Sequence, residues 1–398
     1  MFSARFHWDP RPNRLTQALT AQRAAGARIL DLTESNPTHA GLHYPAEIVA
    51  AFADPRMLAY EPAPAGTPAA RQAVTAYYAA RGHRVAAGRV MLTASTSEAY
   101  CYLFKLLTNP GDHVLVPGPS YPLFEFLAGM ESVSVRPYPL EYQGAWRIDV
   151  PALVAALTPQ TRAIILVNPN NPTGSYVKRG ELRALTALCA ARGIALISDE
   201  VFADYAFAED AERVATLAAV EECLTFSLSG LSKVAGLPQM KLGWIVASGP
   251  AALRAEALEK LEWIADTYLS VSTPVQCAAA TLLTAGEIIQ RQIRERTRAN
   301  LAFARATLTG SAASILAVEG GWYITLQVPR IYSEEEWTLR LLEQSGVLVQ
   351  PGFFYDFESE AYLVVSLLTA EAIFREGLLR LAAAISQDSE GSHGLTPK

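Results

Sequence analysis

Six short apolar runs, each closed by a turn residue, constrain this chain more than any other feature. They are Val90–Thr93, Val114–Pro117, Ala163–Asn168, Ile194–Ser198, Leu224–Leu228 and Gly243–Ala247. Consecutive apolar positions mean that both faces of each strand must be covered, as in a mainly parallel sheet with helices on both sides. The stretches between them carry helical periodicity. From Glu181 to Arg192 the apolar residues are Leu182, Leu185, Leu188 and Cys189, and Gly193 is placed to end the helix. Such alternation is the α/β pattern.

Beyond Gly286 the rhythm changes. An arginine-rich amphipathic segment, 287–308, reads as an exposed linking helix. It is followed by a strand at 322–328, a helix opened by a Ser333/Glu336 capping box, a strand at 362–368 and a helix near 371–385. This is a smaller α+β unit. The expected division is an N-terminal arm joined to the small unit (1–45), a large domain (46–285), a small domain (286–386) and a polar, disordered tail (387–398). With 51% hydrophobic and 18% charged residues, 398 residues suffice for two domains and a large core. A net charge of −6 argues against nucleic acid or an anionic membrane as partner. The N-terminus lacks the apolar stretch of a signal peptide. Four scattered cysteines and six isolated histidines show no metal-ligand spacing, and the cysteines read as reduced core residues of a cytoplasmic protein.

The chemistry-bearing residues follow the apolar runs. Lys233 lies in the loop Ser229-Gly230-Leu231-Ser232-Lys233 and Lys241 follows it. A lysine in a loop is as readily a solvated surface group. Burial would lower its pKa and make it a nucleophile toward an aldehyde. Asp199 closes the fourth run, where a turn cap is the bland role and a ligand contact at the carboxyl end of a strand the sharper one. Asn171-Pro172-Thr173-Gly174 closes the third and is, taken alone, turn chemistry. Ser95-Thr96-Ser97 follows the first and opens an apolar helix, fit for an N-cap and for an anion alike. Tyr121, after the second run, has core packing as its alternative.

Taken together, these strings resemble the active site of the fold-type I pyridoxal-phosphate (PLP) aminotransferases, class I/II, from about Asp31 to Ala384. The resemblance implies a large domain with a mostly parallel seven-stranded sheet flanked by helices, and a smaller α+β domain from both termini. Lys233 would hold the cofactor PLP as a Schiff base and carry the reacting proton. Asp199 would face the pyridine nitrogen, Asn171 would donate to O3′, and Tyr121 would stack on the ring. Ser95, Thr96, Ser97 and Lys241 would hold the phosphate. Ser229 or Ser232 would stand in for a serine usual at the position of Gly230. Tyr60 would reach the neighbouring subunit's phosphate in a homodimer. Ser35 and Asn36 would line the substrate end.

Three positions depart from the pattern. Phe202 replaces a tyrosine that donates to O3′, with Tyr205 nearby in sequence. Lys241 replaces an arginine and so loses the bidentate fork. Val364 stands where an arginine usually holds the substrate carboxylate, leaving Arg5 and Arg14 of the arm as candidate replacements. The implied activity is ping-pong transfer of an amino group from an amino acid to a 2-oxo acid. Its rivals are a PLP-dependent β-lyase and a non-enzymatic PLP-fold sensor. The roughly thirty residues before Asp31 are too few for the DNA-binding module a sensor of that kind carries.

Overall fold

The computed structural model describes residues 1–6 and 8–393, the side chains of 389–393 excepted. Its centre is an eight-stranded sheet. The strand order is Val90–Thr93, Gly243–Ser248, Thr225–Gly230, Ala195–Asp199, Thr161–Val167, His113–Gly118, Ser134–Tyr142, Trp146–Ile148. The five strands from Thr225–Gly230 to Ser134–Tyr142 are parallel. Gly243–Ser248 runs antiparallel to both its neighbours. An eighth strand, Trp146–Ile148, extends the expected seven by folding back on Ser134–Tyr142 as a hairpin.

Both faces are covered, as the unbroken apolar runs require. Ile165, Ile197, Phe226 and Leu228 pack with Tyr100, Leu103 and Leu261 of the helices Thr96–Leu107 and Ala251–Tyr268. Ile164, Leu166 and Leu196 pack on the other face with Leu185 and Cys189 of the helix Arg179–Arg192. Gly193 ends that helix in the left-handed conformation, φ 63°.

The small unit is an antiparallel sheet in the order Ser314–Ile315, Tyr323–Gln327, Tyr362–Ser366, Gln350–Pro351. The N-terminal arm joins it through Leu30–Asp31, which pairs with Val347–Leu348. The helix Glu334–Ser345 opens with the expected capping box.

Two expectations are corrected. The supposed exposed linking helix starts at Thr273, runs 36 residues to Leu308 and is buried along one stripe (Leu282, Ile289, Ile293, Leu301, Leu308). At 1.5 Å per residue it spans about 54 Å, and its arginines occupy the remaining face. The boundary placed at Gly286 falls inside it. There a Cβ would lie 2.3 Å from that of Ala235, so only glycine lets the helix approach the Lys233 loop. The last helix, Glu371–His393, also carries residues 387–393, which composition had assigned to a disordered tail. Arg340, bonded to Asp388 at 3.0 Å, fastens these extra turns. Residues 394–398 of that tail lie outside the described residues.

Candidate active site

The parallel strands point their C-terminal ends to one edge, and the singled-out residues gather there. Asp199 ends its strand, Asn171 follows Val167, Tyr121 follows Gly118, Lys233 follows Gly230 and Ser95 follows Thr93. Lys241 precedes an antiparallel strand, so it starts from the same edge.

Asp199 is paired in register with Val167 and Leu228. Its Oδ1 accepts from the Val201 N–H at 3.2 Å and its Oδ2 from the Tyr100 hydroxyl at 3.2 Å. Burial lifts its carboxyl to about 6. Val201, Tyr100 and the Lys233 charge pull the other way and do not win. Lys233 sits in the short helix Leu231–Val234, its Nζ 5.2 Å from the Trp322 ring and 5.9 Å from Phe202. Burial holds its amine below the ordinary lysine value, with Asp199 opposing. Among the described residues Nζ has no hydrogen bond or ion pair.

Asn171 is buried, and its Oδ1 has no partner. Its neighbour Asn170 fixes the loop, donating to the Pro119 carbonyl and to Thr173 and accepting from Ser120, each at 3.0 Å. This clamp brings the loop of Tyr121 against that of Asn171. Gly174 closes the turn at φ 69°, where a Cβ would lie 2.4 Å from Val318 Cγ2.

Ser95 caps the helix Thr96–Leu107, its Oγ accepting from the Glu98 N–H at 3.1 Å. Thr96 and Ser97 follow at the positive end of that helix, an anion site by backbone geometry. Glu98 folds back to the start of that helix, accepting from the Ala94 N–H and the Ser270 hydroxyl at 2.7 Å each. Gly243 lies against Ser95, with 3.0 Å to a Cβ, and Gly230 against Leu242 and Gly243, with 2.9 and 3.0 Å. A serine at 230 would therefore need the strands to separate. Lys241 is exposed beside them in the left-handed region, φ 51°.

Not every candidate is where the sequence put it. Ser229 points to the opposite face of its strand. Phe226 and Leu228 pack toward Tyr100, whereas Ser227 bonds Glu200 at 3.1 Å and Ser229 lines a cavity with Tyr78, Arg81 and Glu200. Ser232 stays half-buried on the Lys233 helix. Arg5 donates to Ser132 at 3.0 Å, at the far end of the sheet, and Arg14 to Glu335 at 2.7 Å. Neither reaches Val364. Tyr205 does not replace the missing phenol, because its hydroxyl donates to the Lys233 carbonyl. Phe202 packs edge-on against Trp322 at 5.2 Å. Ser35 acts on the Tyr323 hydroxyl, opposing the burial that pushes its pKa up to about 12, while Asn36 is folded into its own turn, accepting from Thr38 at 2.7 Å. Tyr60 is 71% exposed at a recess bordered by Tyr102, Leu269 and Ser270. Tyr100, Trp322 and Tyr323 were missed. Tyr100, one turn into the helix opened by Ser95, was within reach of sequence reasoning; the other two depend on long-range packing.

The donor set fits a PLP molecule. A carboxylate and an amine stand at the same strand ends as the buried Asn171, whose amide oxygen no protein group holds and whose N–H groups can donate to a ring oxygen, and a helix N-terminus faces two glycines whose strands leave no room for side chains.

A family model described as aminotransferase class I and II matches residues 27–375. The glutamate-pyruvate aminotransferase AlaA of Escherichia coli K12 is 30% identical over 261 residues, 65% of this chain and 64% of that protein. This chain thus matches less than two thirds of that relative's length. The arginine–pyruvate transaminase AruH of Pseudomonas aeruginosa is 30% identical over 326 residues, 81% of each. Among solved structures, an alanine aminotransferase from Pyrococcus furiosus shares the fold with a TM-score of 0.87 at 22% identity, over 97% of this chain and 100% of that one. A mutant Thermus thermophilus aspartate aminotransferase gives 0.82 at 25% identity, over 96% and 99%.

Proposed function

The chain belongs to the class I and II aminotransferases, a PLP-dependent family, and we propose that it moves an amino group from an amino acid to a 2-oxo acid in two half-reactions, with the cofactor held on Lys233. The supporting observation is that a desolvated amine without a hydrogen bond and a desolvated carboxylate stand at the same C-terminal edge of the sheet and act on each other's charge. Bound there, PLP supplies an electron sink for the reacting carbon.

The protein's part is positioning and proton transfer. The lowered pKa of Lys233 leaves more of its amine free to take a proton from the reacting carbon and return it. Asp199 would accept from the protonated ring nitrogen, and that positive charge would draw the carboxyl back into its ionised form. Asn171 would donate its amide N–H to the ring oxygen, and Tyr121 would cover the ring face. Thr96 and Ser97 would offer backbone N–H groups to the phosphate, Ser95 and Ser232 would border it, and Lys241 would add charge.

The reading extends to a homodimer in which Tyr60 serves the neighbouring site. Tyr60 is exposed, and the helix that ends at its recess exposes Trp263 and Tyr268. Mixing Lys233→Ala and Tyr60→Phe proteins should then regain activity through hybrid dimers with one intact site; no regain would refute the shared site. We also place the protein in the cytoplasm, on its four unpaired cysteines. No helix among the described residues is long and apolar enough to cross a membrane.

Borohydride reduction of the holoprotein should leave one pyridoxyl adduct, on Lys233. Lys233→Ala should fold, lose the adduct and lose turnover. An adduct on another residue, or none, defeats the assignment. Release of ammonia in place of amino transfer would favour the β-lyase.

A further inference from the structure

The ring that stands nearest the Lys233 amine, Trp322, comes from the small unit and not from the lysine's own domain. The chain reaches it through Glu319-Gly320-Gly321, a ribbon pressed onto the large domain. The Glu319 and Gly320 N–H groups both donate to the Gly174 carbonyl, at 3.2 and 3.0 Å. Gly321 donates to the Tyr205 carbonyl at 3.0 Å, and Phe207 donates to that of Glu319 at 2.9 Å. A Cβ at Gly320 would lie 2.7 Å from the Tyr205 carbonyl oxygen, so the approach is tight. Trp322, 0% exposed, then packs edge-on against Phe202 and Tyr205 at 5.2 Å each and stands 5.2 Å from Lys233 Nζ.

Charge anchors the head of this ribbon. Lys178, at the cap position of the helix Arg179–Arg192, is 7% exposed. Its Nζ donates to Glu319 Oε2 and to Asp210 Oδ2 at 2.7 Å each. Glu319 Oε2 also accepts from the Tyr176 N–H at 3.2 Å, and Arg147 lies 3.8 Å from Oε1. Arg213 acts on Asp210 from its far side. Desolvation of such a cluster offsets most of its attraction, so it adds little net stability. What it adds is placement. Without the Lys178 ammonium, the Glu319 and Asp210 carboxylates would repel each other, and the head of the ribbon would be driven outward.

We infer that Lys178 and Glu319 are positioning residues for amino transfer: their ion pair holds the Gly320-Gly321 ribbon so that Trp322 keeps water from the Lys233 amine. This rests on the reading that Lys233 is the reacting amine. The path has three steps, Lys178 to Glu319 by charge, Glu319 to Trp322 along the chain, and Trp322 to Lys233 by contact. Burial is the larger influence on this amine and holds it below the ordinary lysine value, with Asp199 opposing. Water admitted beside Trp322 would act in the same direction as Asp199, so loosening the ribbon raises the pKa of the amine.

The test compares full-length wild type, Lys178→Met, Lys178→Arg and Glu319→Ala. Each is freed of PLP and acetylated with acetic anhydride across a pH series, and the label on residue 233 is quantified by peptide mass. Lys178→Met and Glu319→Ala should each raise the labelling midpoint by about one pH unit, as partial loss of burial requires. Lys178→Arg keeps the charge and should show less than half that shift. In the holoproteins a rise of one unit leaves about tenfold less free amine near neutral pH, so kcat should fall by up to about tenfold while KM changes less. A merely structural role would lower the melting temperature and leave the midpoint in place. Glu319→Ala leaves Lys178 paired with Asp210 and so serves if Lys178→Met does not fold. An unmoved midpoint in folded Glu319→Ala overturns the inference, as does a Lys178→Arg shift as large as that of Lys178→Met, or a loss confined to KM. A borohydride adduct on a residue other than Lys233 instead defeats the cofactor assignment, so the two failures are distinct.

Discussion

Replacing Glu200 by glutamine should remove a pH-dependent penalty on the fold. Glu200 is the neighbour of Asp199 but faces the other side of the sheet, 2% exposed. Its carboxylate accepts from the Leu217 N–H at 2.8 Å and from the hydroxyls of Thr216 at 2.6 Å and Ser227 at 3.1 Å. Burial nevertheless raises its pKa from 4.5 to about 7. The folded state thus holds this proton where the unfolded chain has released it. Stability from this group is complete below about pH 4.5 and is lost as the pH rises through about 7. That interval corresponds to about 3 kcal/mol. Glutamine keeps the shape, and the Thr216 hydroxyl can turn to accept from the new amide N–H. Calorimetric melting of wild type and Glu200→Gln should differ by about 3–6 °C in favour of the variant near pH 8, with the gap closing toward pH 5. A gap of equal size at both pH values would refute the reasoning, because fixed hydrogen-bond differences do not titrate.

Tyr100→Phe removes a donor to Asp199 and should raise that carboxyl further, moving the acid limb of the pH–rate profile up by about one unit; an unmoved limb would show that the contact does not act on the carboxyl. Gly174→Ala should cost about 2 kcal/mol or more, since the turn is left-handed and the added methyl meets Val318 and Gly320; a denaturation midpoint within about 0.5 kcal/mol of wild type would contradict the geometry. Phe202→Tyr supplies the phenol missing from this chain and should lower the spectral titration midpoint of the holoprotein by about one pH unit; an unchanged midpoint would count against placing residue 202 beside the ring hydroxyl.

The parallel part of the sheet was legible because a strand buried on both faces needs apolar residues at consecutive positions, and few helices of that length do. Val90–Thr93 came out with its observed bounds. The same feature hides direction: Gly243–Ser248 is as apolar as its neighbours, and nothing in its composition says that it runs the other way. Trp146–Ile148 was too short to register beside the Gly144 turn. The long helix was cut short at Gly286, which looks like a breaker. In the fold Pro274 lies in its first turn, where no N–H is required, and Gly286 marks a close crossing.

At the site, position along the chain was legible and side-chain direction only partly so. The residues after strand ends converge because parallel strands deliver their C-termini to one edge, whatever the distances in sequence. Which face each side chain takes follows from strand parity. Phe226 and Leu228 already put Gly230 on the cofactor face and Ser229 on the other, a signal present in the sequence and not used. Parity also separates Asp199 from Glu200. Two adjacent carboxyls, both desolvated, meet opposite fates because one faces Lys233 and Tyr100 at the open edge, while the other is enclosed by Thr216, Leu217 and Ser227. The first can have its charge restored by a cationic ring nitrogen; the second has no such partner and carries its penalty at every pH above about 7. What sequence could not supply was the surroundings of Val364, which is 1% exposed. The absence of arginine at Val364 was visible; that Arg5 is held by Ser132 and Arg14 by Glu335, so that neither replaces it, is a property of the folded chain.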